Sequence, residues 1–226
     1  MRFPPRCFIA LCFLPILLCH HADTTVTAQD STLLKKRIEE LETENKALRK
    51  IISEVQKAVT LQSSDSTPNS DGLRVIVMPD DWGASGIQDM KKVADSASHP
   101  IASLLESSSF SPILVQRSST GPITLYQRGA GNEYIVRLDT GDRAWAQMAF
   151  QFAHEFCHII CNYRDVDNPQ LWFEETICEV ASLYSLRRMS ENWKVNPPYS
   201  NWKGYSAALS DYANTRIASQ QEKKQS

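Results

Sequence analysis

The chain has 226 residues, which is enough for one sizeable domain or two small ones. Apolar residues make up 42% of it and charged residues 22%, a balance that excludes wholesale disorder and a polytopic membrane protein. The net charge of −2 disfavours a non-specific grip on phosphates, so we predict no nucleic acid partner.

The first 28 residues have the pattern of a secretory signal peptide. Arg2 and Arg6 form a basic start, residues 8–19 are an almost unbroken apolar run, and small residues precede a cleavage point near Ala28. The run is shorter than the ~20 residues that span a bilayer, although an uncut anchor is the alternative. We therefore predict removal of residues 1–28, a secreted or periplasmic protein, and no stable membrane insertion after cleavage.

Residues 29–60 are predicted to form a parallel coiled coil, which makes a homodimer through residues 34–59. Two sets of residues recur every seven positions: Leu34, Leu41, Leu48 and Val55 at d, and Ile38, Asn45, Ile52 and Val59 at a. Leu at d with β-branched residues at a favours two parallel strands, and the polar Asn45 fixes their register. The alternative is a single amphipathic helix lying on the domain.

The rest of the chain is predicted to be a flexible linker (61–72), one compact domain (73–218) and a disordered tail (219–226). Strand-like runs cover 73–78, 113–117, 123–128 and 133–138. Helical patterns cover 87–106, 142–163, 169–189 and 202–218, with Pro100 as a break, Asn168 as a cap and Pro169 at a first helical position. Because most helices follow the strands, we predict an α+β fold.

The segment HEFCH, residues 154–158, carries the strongest chemical signal. On a helix, His154 and His158 lie one turn apart on the same face, so their imidazoles can share one metal ion. Glu155 lies about 100° around the helix, within reach of a water on that metal but outside the ligand set. The helix is otherwise mostly apolar, and polar residues in such a setting need a reason. Two core histidines with hydrogen-bond partners are the alternative.

The third metal ligand is expected to be a carboxylate or a thiolate, because no histidine follows His158 and His99 lies far upstream. Cys161 and Arg164 occupy the positions at which HExxHxxGxxH metalloproteases have Gly and His. The remaining candidates are Asp165, Glu174, Glu175, Glu179, Cys161 and Cys178.

The segment LWFEETICEVASLY, residues 171–184, resembles the second signature of the gluzincins, the thermolysin-like and aminopeptidase-like zinc metallopeptidases. In that family a helix after HExxH carries a zinc-binding Glu, often written W-x-x-E, with another acid four residues later. The resemblance implies that Glu175 is the third zinc ligand and that Glu179 accepts a hydrogen bond from a ligand histidine. Glu174 would lie on the neighbouring face. A plain amphipathic helix with surface carboxylates is the alternative.

The resemblance also implies a small zincin-like domain, in which a mostly antiparallel sheet accompanies an active-site helix and a second, ligand-bearing helix. Zn²⁺ would activate a water for attack on a peptide bond, with Glu155 as the general base. A downstream tyrosine would stabilise the oxyanion, and of Tyr199, Tyr205 and Tyr212 we select Tyr205. The strand at 133–138 would be the edge that pairs with an extended substrate.

We therefore predict a small gluzincin-type zinc metallopeptidase that acts on a peptide or protein substrate. One alternative is a non-catalytic envelope protein that uses its coiled coil for interaction and has a structural or vestigial zinc site. Another is a hydrolase of the same fold that acts on a non-peptide amide.

Two further groups of residues each allow two interpretations. Cys157 or Cys161 forms a disulfide with Cys178 across the two ligand-bearing helices, or all three are reduced thiols that pack as small apolar groups. Four aromatic residues near a proline-rich loop line a substrate cleft, or they pack that loop onto the domain. These residues are Trp193, Tyr199, Trp202 and Tyr205.

Overall fold

The computed structural model describes residues 28–64, 72–105, 109–162, 164–167 and 169–223, and the chain divides into two units between Leu48 and Arg49. The predicted signal peptide lies outside the described residues except for Ala28. In the part of the chain that is described, no helix has both the length and the apolar character required to cross a membrane.

The first helix, α1, covers Ala28–Ser64, so it includes the predicted coiled-coil segment and ends inside the predicted linker. Side chains at 32–50 are all exposed, including Leu34, Leu41 and Leu48 of the heptad pattern. A helix gains most of its stability by packing its apolar face on another surface. A second copy of the helix in a parallel homodimer would provide such a surface, and this homodimer stays a prediction.

The second unit is α+β, with a four-stranded mixed sheet. The strands are β1 (Val75–Val77), β2 (Ile113–Arg117), β3 (Ile123–Thr124) and β4 (Tyr134–Leu138), in the order β1-β2-β4-β3. We predicted a mostly antiparallel sheet, and this is wrong, because β2 pairs in parallel with both β1 and β4. The β1–β2 connection contains a helix, and such crossovers produce parallel pairs. Only β3 runs antiparallel, against β4.

The edge strand nearest the HEFCH helix is β3, which corrects the prediction for residues 133–138. That segment forms β4, which lies between β2 and β3 and therefore has a hydrogen-bonded neighbour on each side. Alternation of side chains predicts a strand from sequence, but the order of strands in the sheet depends on connections between distant segments.

Four further helices follow in the second unit: α2 (Ile87–Ala102), α3 (Trp145–Ile160), α4 (Leu171–Trp193) and α5 (Ser206–Lys223). Pro100 lies in the last turn of α2 and does not break it. Pro169 precedes α4, which begins at Leu171, whereas Asn168 lies outside the described residues. The predicted tail is helical as far as Lys223, because the Gln, Glu and Lys residues there are good helix formers.

The core forms around α3, which packs against α2, α4, α5 and β4. Its Phe152, Ala153 and Phe156 are fully buried, as are Val136 and Leu138 of the sheet. Burial of each large apolar side chain contributes about 1.5–3 kcal/mol, so this central helix is held firmly. The polar residues on α3 are therefore fixed in position by the core that surrounds them.

The aromatic residues near the proline-rich loop pack this loop onto the domain. A 3₁₀ helix, Ser200–Tyr205, carries Trp202, whose ring lies 5.3 Å from that of Trp145 on α3 and 5.4 Å from that of Trp193 on α4. The ring of Tyr199 contacts the ring of Trp202 edge-on, with centroids 4.9 Å apart. Such geometry is typical of stabilising aromatic clusters.

Candidate metal centre

The two histidines of HEFCH lie one turn apart on α3, as their spacing predicts, with ring centroids 5.0 Å apart. Helix α3 ends at Ile160, and Asn162 then adopts the left-handed conformation with φ of 60°. Asparagine tolerates this conformation better than most residues, and it is a common way to end a helix and reverse the chain. The reversal brings α4 back against α3, with its acidic first turns beside the histidines.

The carboxylate of Glu175 faces the Nε2 atoms of both histidines. Its Oε2 lies 3.1 Å from Nε2 of His154, and its Oε1 lies 3.5 Å from Nε2 of His158. Glu175 is half exposed, with 49% of its side chain accessible, whereas His158 is almost completely buried. Two imidazole nitrogens and one carboxylate therefore converge, which is the ligand type that zinc prefers at catalytic sites.

Glu174, which we expected on the neighbouring face, is the partner of His158 on the other side of its ring. Its Oε1 lies 2.8 Å from Nδ1 of His158. An ionised carboxylate only accepts hydrogen bonds, so an ionised Glu174 selects the tautomer in which Nδ1 carries the proton and Nε2, on the side of Glu175, carries the lone pair. A lone pair that faces a carboxylate at 3.5 Å is favourable when a cation lies between them. The donor set therefore fits a metal ion.

Burial is the main cause that lowers the pKa of His154, and the neighbouring His158 lowers it further. The carboxylates of Glu175 and Glu179 act in the opposite direction. The net lowering favours the neutral imidazole, which is the form that binds metals.

Glu179 lies beside His154, although at a longer distance than a hydrogen bond. Its Oε2 is 4.0 Å from Nδ1 of His154, and its Oε1 accepts a hydrogen bond of 3.1 Å from Nη2 of Arg216 on α5. The guanidinium of Arg216 also lies 4.6 Å above the ring of Phe150. Glu179 thus connects the histidine pair to a basic residue that the sequence did not indicate.

Glu155 is buried, with only 4% of the residue exposed, and Thr124 of β3 is its hydrogen-bond partner. The Thr124 hydroxyl lies 2.9 Å from Oε2 of Glu155 and 3.1 Å from its backbone carbonyl oxygen. Burial raises the pKa of Glu155 to about 6, while the hydrogen bond from Thr124 and the proximity of His158 act against this rise. A carboxyl group with this pKa can accept and release a proton near neutral pH.

These residues share one cavity of about 370 Å³. His154, Glu155, His158 and Glu175 line it from α3 and α4, and Ile123 and Thr124 of β3 line another side. Arg216 is the only basic residue other than the histidines among the described residues that line this cavity. A larger cavity of about 480 Å³ contains His99 but none of these carboxylates, so size alone does not identify a catalytic site.

Tyr205 does not line the cavity that contains His154, which corrects the role that we predicted for it. Its hydroxyl lies 3.4 Å from the backbone nitrogen of Ala146 and from the backbone oxygen of Arg143, at the start of α3. The 3₁₀ helix directs Tyr205 towards this end of α3, at least two turns away from HEFCH. Tyr199 lines a different cavity. Tyr212 packs against Phe150 at 5.8 Å.

Two groups of residues in the described part of the chain could hold a metal ion by the proximity of their donor atoms. One consists of His154, His158 and Cys178, and the other of Cys157, Cys161 and Cys178. In each group the donor atoms lie within 4.8 Å of one another. By this proximity the third donor of the histidine pair is the thiol of Cys178, whereas Glu175 belongs to neither group and contacts the two histidines through different oxygens. Asp165 is exposed and belongs to neither group.

All three cysteines are free thiols, and their sulfur atoms lie within 4.8 Å of one another. Cys157 is hydrogen-bonded to Cys178 and Cys161, and the bond with Cys178 is the main reason why the pKa of Cys157 falls to about 7. Burial raises the pKa of Cys161 to about 11, and the bond with Cys157 raises the pKa of Cys178.

No family model, no curated protein and no solved structure matches this chain. The functional interpretation therefore depends on the chemistry of the site itself.

Proposed function

We propose that this protein is a zinc-dependent hydrolase that cleaves peptide bonds, of the gluzincin type, with His154, His158 and Glu175 as the zinc ligands. One observation carries the proposal: the Glu175 carboxylate faces both Nε2 atoms, at 3.1 and 3.5 Å, beside a buried Glu155. A purely structural zinc site has four protein ligands, whereas a catalytic one leaves a position open. The cavity of about 370 Å³ beside these residues supports the catalytic alternative.

Zinc bound there would supply Lewis acidity, which polarises a carbonyl group and lowers the pKa of water. Glu155 would accept a proton from the attacking water at Oε1 or Oε2 and transfer it to the leaving amine. Thr124 would hold one of these oxygens in place through its bond of 2.9 Å. Glu174 would keep His158 in the tautomer that leaves Nε2 available to the metal.

Arg216 takes the place of Tyr205 as the candidate partner for negative charge on the substrate. It is held by Glu179 at 3.1 Å, and it lines the same cavity as Glu155. A fixed guanidinium in a cavity can stabilise an oxygen that becomes negative during the reaction. The short edge strand β3 lines the cavity as well, and we propose that an extended peptide lies along it.

The test is digestion of a mixed peptide library by the zinc-loaded chain, with products identified by mass spectrometry. Glu155→Gln keeps the shape of the side chain but cannot accept the proton, so cleavage should fall by roughly 10²–10⁴-fold at equal zinc content. Glu191→Gln, on the exposed part of α4, is the matched control and should cleave normally.

Equal cleavage by the wild type and Glu155→Gln would refute the role of Glu155. Zinc binding without cleavage of any peptide by the wild type would instead support the non-catalytic alternative.

A further inference from the structure

The three cysteines of α3 and α4 form a compact cluster at the contact between these helices. Cys157 and Cys161 are one turn apart, on α3 and at its C-terminal end, and Cys178 faces them from α4. The three sulfur atoms lie within 4.8 Å of one another. Cys157 and Cys178 are buried at this contact, so two of the three sulfurs are shielded from solvent.

We propose that Cys157, Cys161 and Cys178 bind a thiophilic divalent metal ion, with zinc as the natural example, at a second site beside the histidine pair. Tetrahedral zinc has Zn–S distances of about 2.3 Å, which place two thiolate sulfurs about 3.8 Å apart. Three sulfurs within 4.8 Å need only small side-chain movements to reach that geometry. Each thiol gives up its proton to solvent as the ion binds.

Cys178 lies as near to His154 and His158 as to the other two cysteines, and we assign it to the thiol site. The Nε2 atoms of both histidines face Glu175, at 3.1 and 3.5 Å, and Glu175 is the third ligand that we propose for them. The sulfur of Cys178 lies within 4.8 Å of the sulfurs of Cys157 and Cys161. The second site uses Cys178 and not Glu175, so its test can fail separately from the catalytic proposal, although both sites lie along the α3–α4 contact.

The thiol cluster has a route to solvent. Cys157 and Cys178 are buried, but Cys161 is exposed and lines a separate cavity of about 330 Å³ together with Arg164 and Glu174. An ion can enter through this cavity, and a water from it can complete a tetrahedral site as the fourth ligand. Three thiolates and one divalent ion leave one net negative charge, and the cavity beside them carries one cationic side chain, Arg164, and one carboxylate, Glu174.

Cobalt titration of the reduced, metal-free full chain tests this proposal, because Co²⁺ bound by thiolates has an intense sulfur-to-metal absorption band. We expect two Co²⁺ ions per chain, one of which produces this band. Cys161→Ser, at the exposed position, should lose most of the band and weaken binding at this site by roughly tenfold or more. His154→Ala is the matched control: it should lose the other ion and keep the band.

Three results would overturn the proposal. The first is a thiolate band that disappears in His154→Ala but persists in Cys161→Ser, which would assign Cys178 to the histidine site. The second is a single Co²⁺ ion without a thiolate band in the reduced protein. The third is an intact mass of the isolated protein that shows a disulfide, combined with no thiolate band after reduction.

Discussion

At the scale of single residues, the site depends on carboxyl groups in different surroundings. Glu175 is half exposed and faces two imidazole nitrogens, whereas Glu155 is buried and is hydrogen-bonded to Thr124. Burial raises the pKa of Glu155 to about 6, although the hydrogen bond from Thr124 and the nearby His158 oppose the rise. Different surroundings allow one carboxylate to bind a cation and another to exchange a proton.

Removal of the Thr124 hydroxyl should change the pH dependence of hydrolysis. Its hydrogen bond to Glu155 lowers the pKa of that carboxyl, so Thr124→Val should raise this pKa. A general base acts only when it is ionised. As the solution is acidified, the variant should therefore lose activity at a higher pH than the wild type does. The pH profile of kcat/KM measures this shift.

Thr124→Ser is the control for that experiment, because it keeps the hydroxyl and should restore the wild-type profile. An unchanged acid limb in Thr124→Val would show that this hydrogen bond does not tune the base.

The metal-free protein should be more stable with Gln at position 155 when the solution is near neutral. The pKa of Glu155 rises from 4.5 to about 6 on folding, so the folded protein holds the proton on this carboxyl group more tightly than the unfolded chain does. The stability that this proton provides is fully present below pH 4.5 and is lost as the pH rises through about 6. Glu155→Gln cannot ionise, and it should gain up to about 2 kcal/mol over the wild type above about pH 7. Urea unfolding at several pH values checks this.

The gain should disappear near pH 4, and Glu191→Gln should show no comparable dependence on pH. A Glu155→Gln variant that is less stable than the wild type at about pH 7.5 would contradict the cost of ionising a buried carboxyl group at this position.

At the scale of elements, the site is the contact between α3 and α4. Helix α3 supplies the two histidines and Glu155, and the first turns of α4 supply Glu174 and Glu175. The left-handed Asn162 ends α3 and allows the chain to return at once. Because both helices are anchored in the core, the donor atoms are positioned before any ligand arrives.

Loss of the carboxylate at Glu174 should weaken zinc binding without removing a ligand. Its Oε1 holds Nδ1 of His158 at 2.8 Å, and partners of this kind typically contribute roughly 10–100-fold to metal affinity. We expect a loss of that size for Glu174→Gln in competition with a zinc-binding dye. Glu191→Gln on the same helix is the control, and equal affinities for the two variants would show that Glu174 does not support the metal site.

Local spacing was sufficient to predict the parts of the site that lie close together in sequence. The histidine pair and Glu155 follow from the period of a single helix, and α2, β2 and β4 begin within one residue of their predicted positions. The resemblance to the gluzincins indicated Glu175, but it placed Glu174 on the neighbouring face. Which carboxylate meets which imidazole depends on how α4 is rotated against α3, and sequence periodicity does not define that rotation.

Contacts between distant segments could not be predicted in this way. Thr124 and Glu155 are 31 residues apart, and Arg216 and Glu179 are 37 apart. Neither Thr124 nor Arg216 belongs to a motif, and only the packing of β3 and α5 near α3 brings them to the cavity. The prediction that residues 133–138 form an edge strand failed for the same reason, because β4 pairs with β2 as well as with β3.

At the scale of the whole molecule, α1 has an apolar stripe whose side chains are exposed. Leu41 and Leu48 are 41% and 55% exposed, and both occupy the predicted d positions. Pairing with a second chain would bury such side chains, as in two-stranded coiled coils.

The full chain should therefore be a dimer in sedimentation equilibrium at micromolar concentration. Replacement of Leu41 and Leu48 by Asp should produce monomers, because charges at d positions cannot be accommodated in the apolar seam. Replacement of Glu40 by Gln, outside the a and d positions, should leave the dimer intact. A wild-type chain that is a monomer would contradict the coiled coil.

The most direct test of the proposed catalytic centre is the position of zinc in crystals of the zinc-loaded chain, measured by anomalous scattering at the zinc edge. We predict a peak about 2.0–2.2 Å from Nε2 of His154, Nε2 of His158 and a carboxylate oxygen of Glu175. Its fourth position should open into the cavity beside Glu155. Zinc that is bound by Cys178 in place of Glu175 would contradict this assignment. A fourth protein ligand in the position that we expect to be open would contradict it as well.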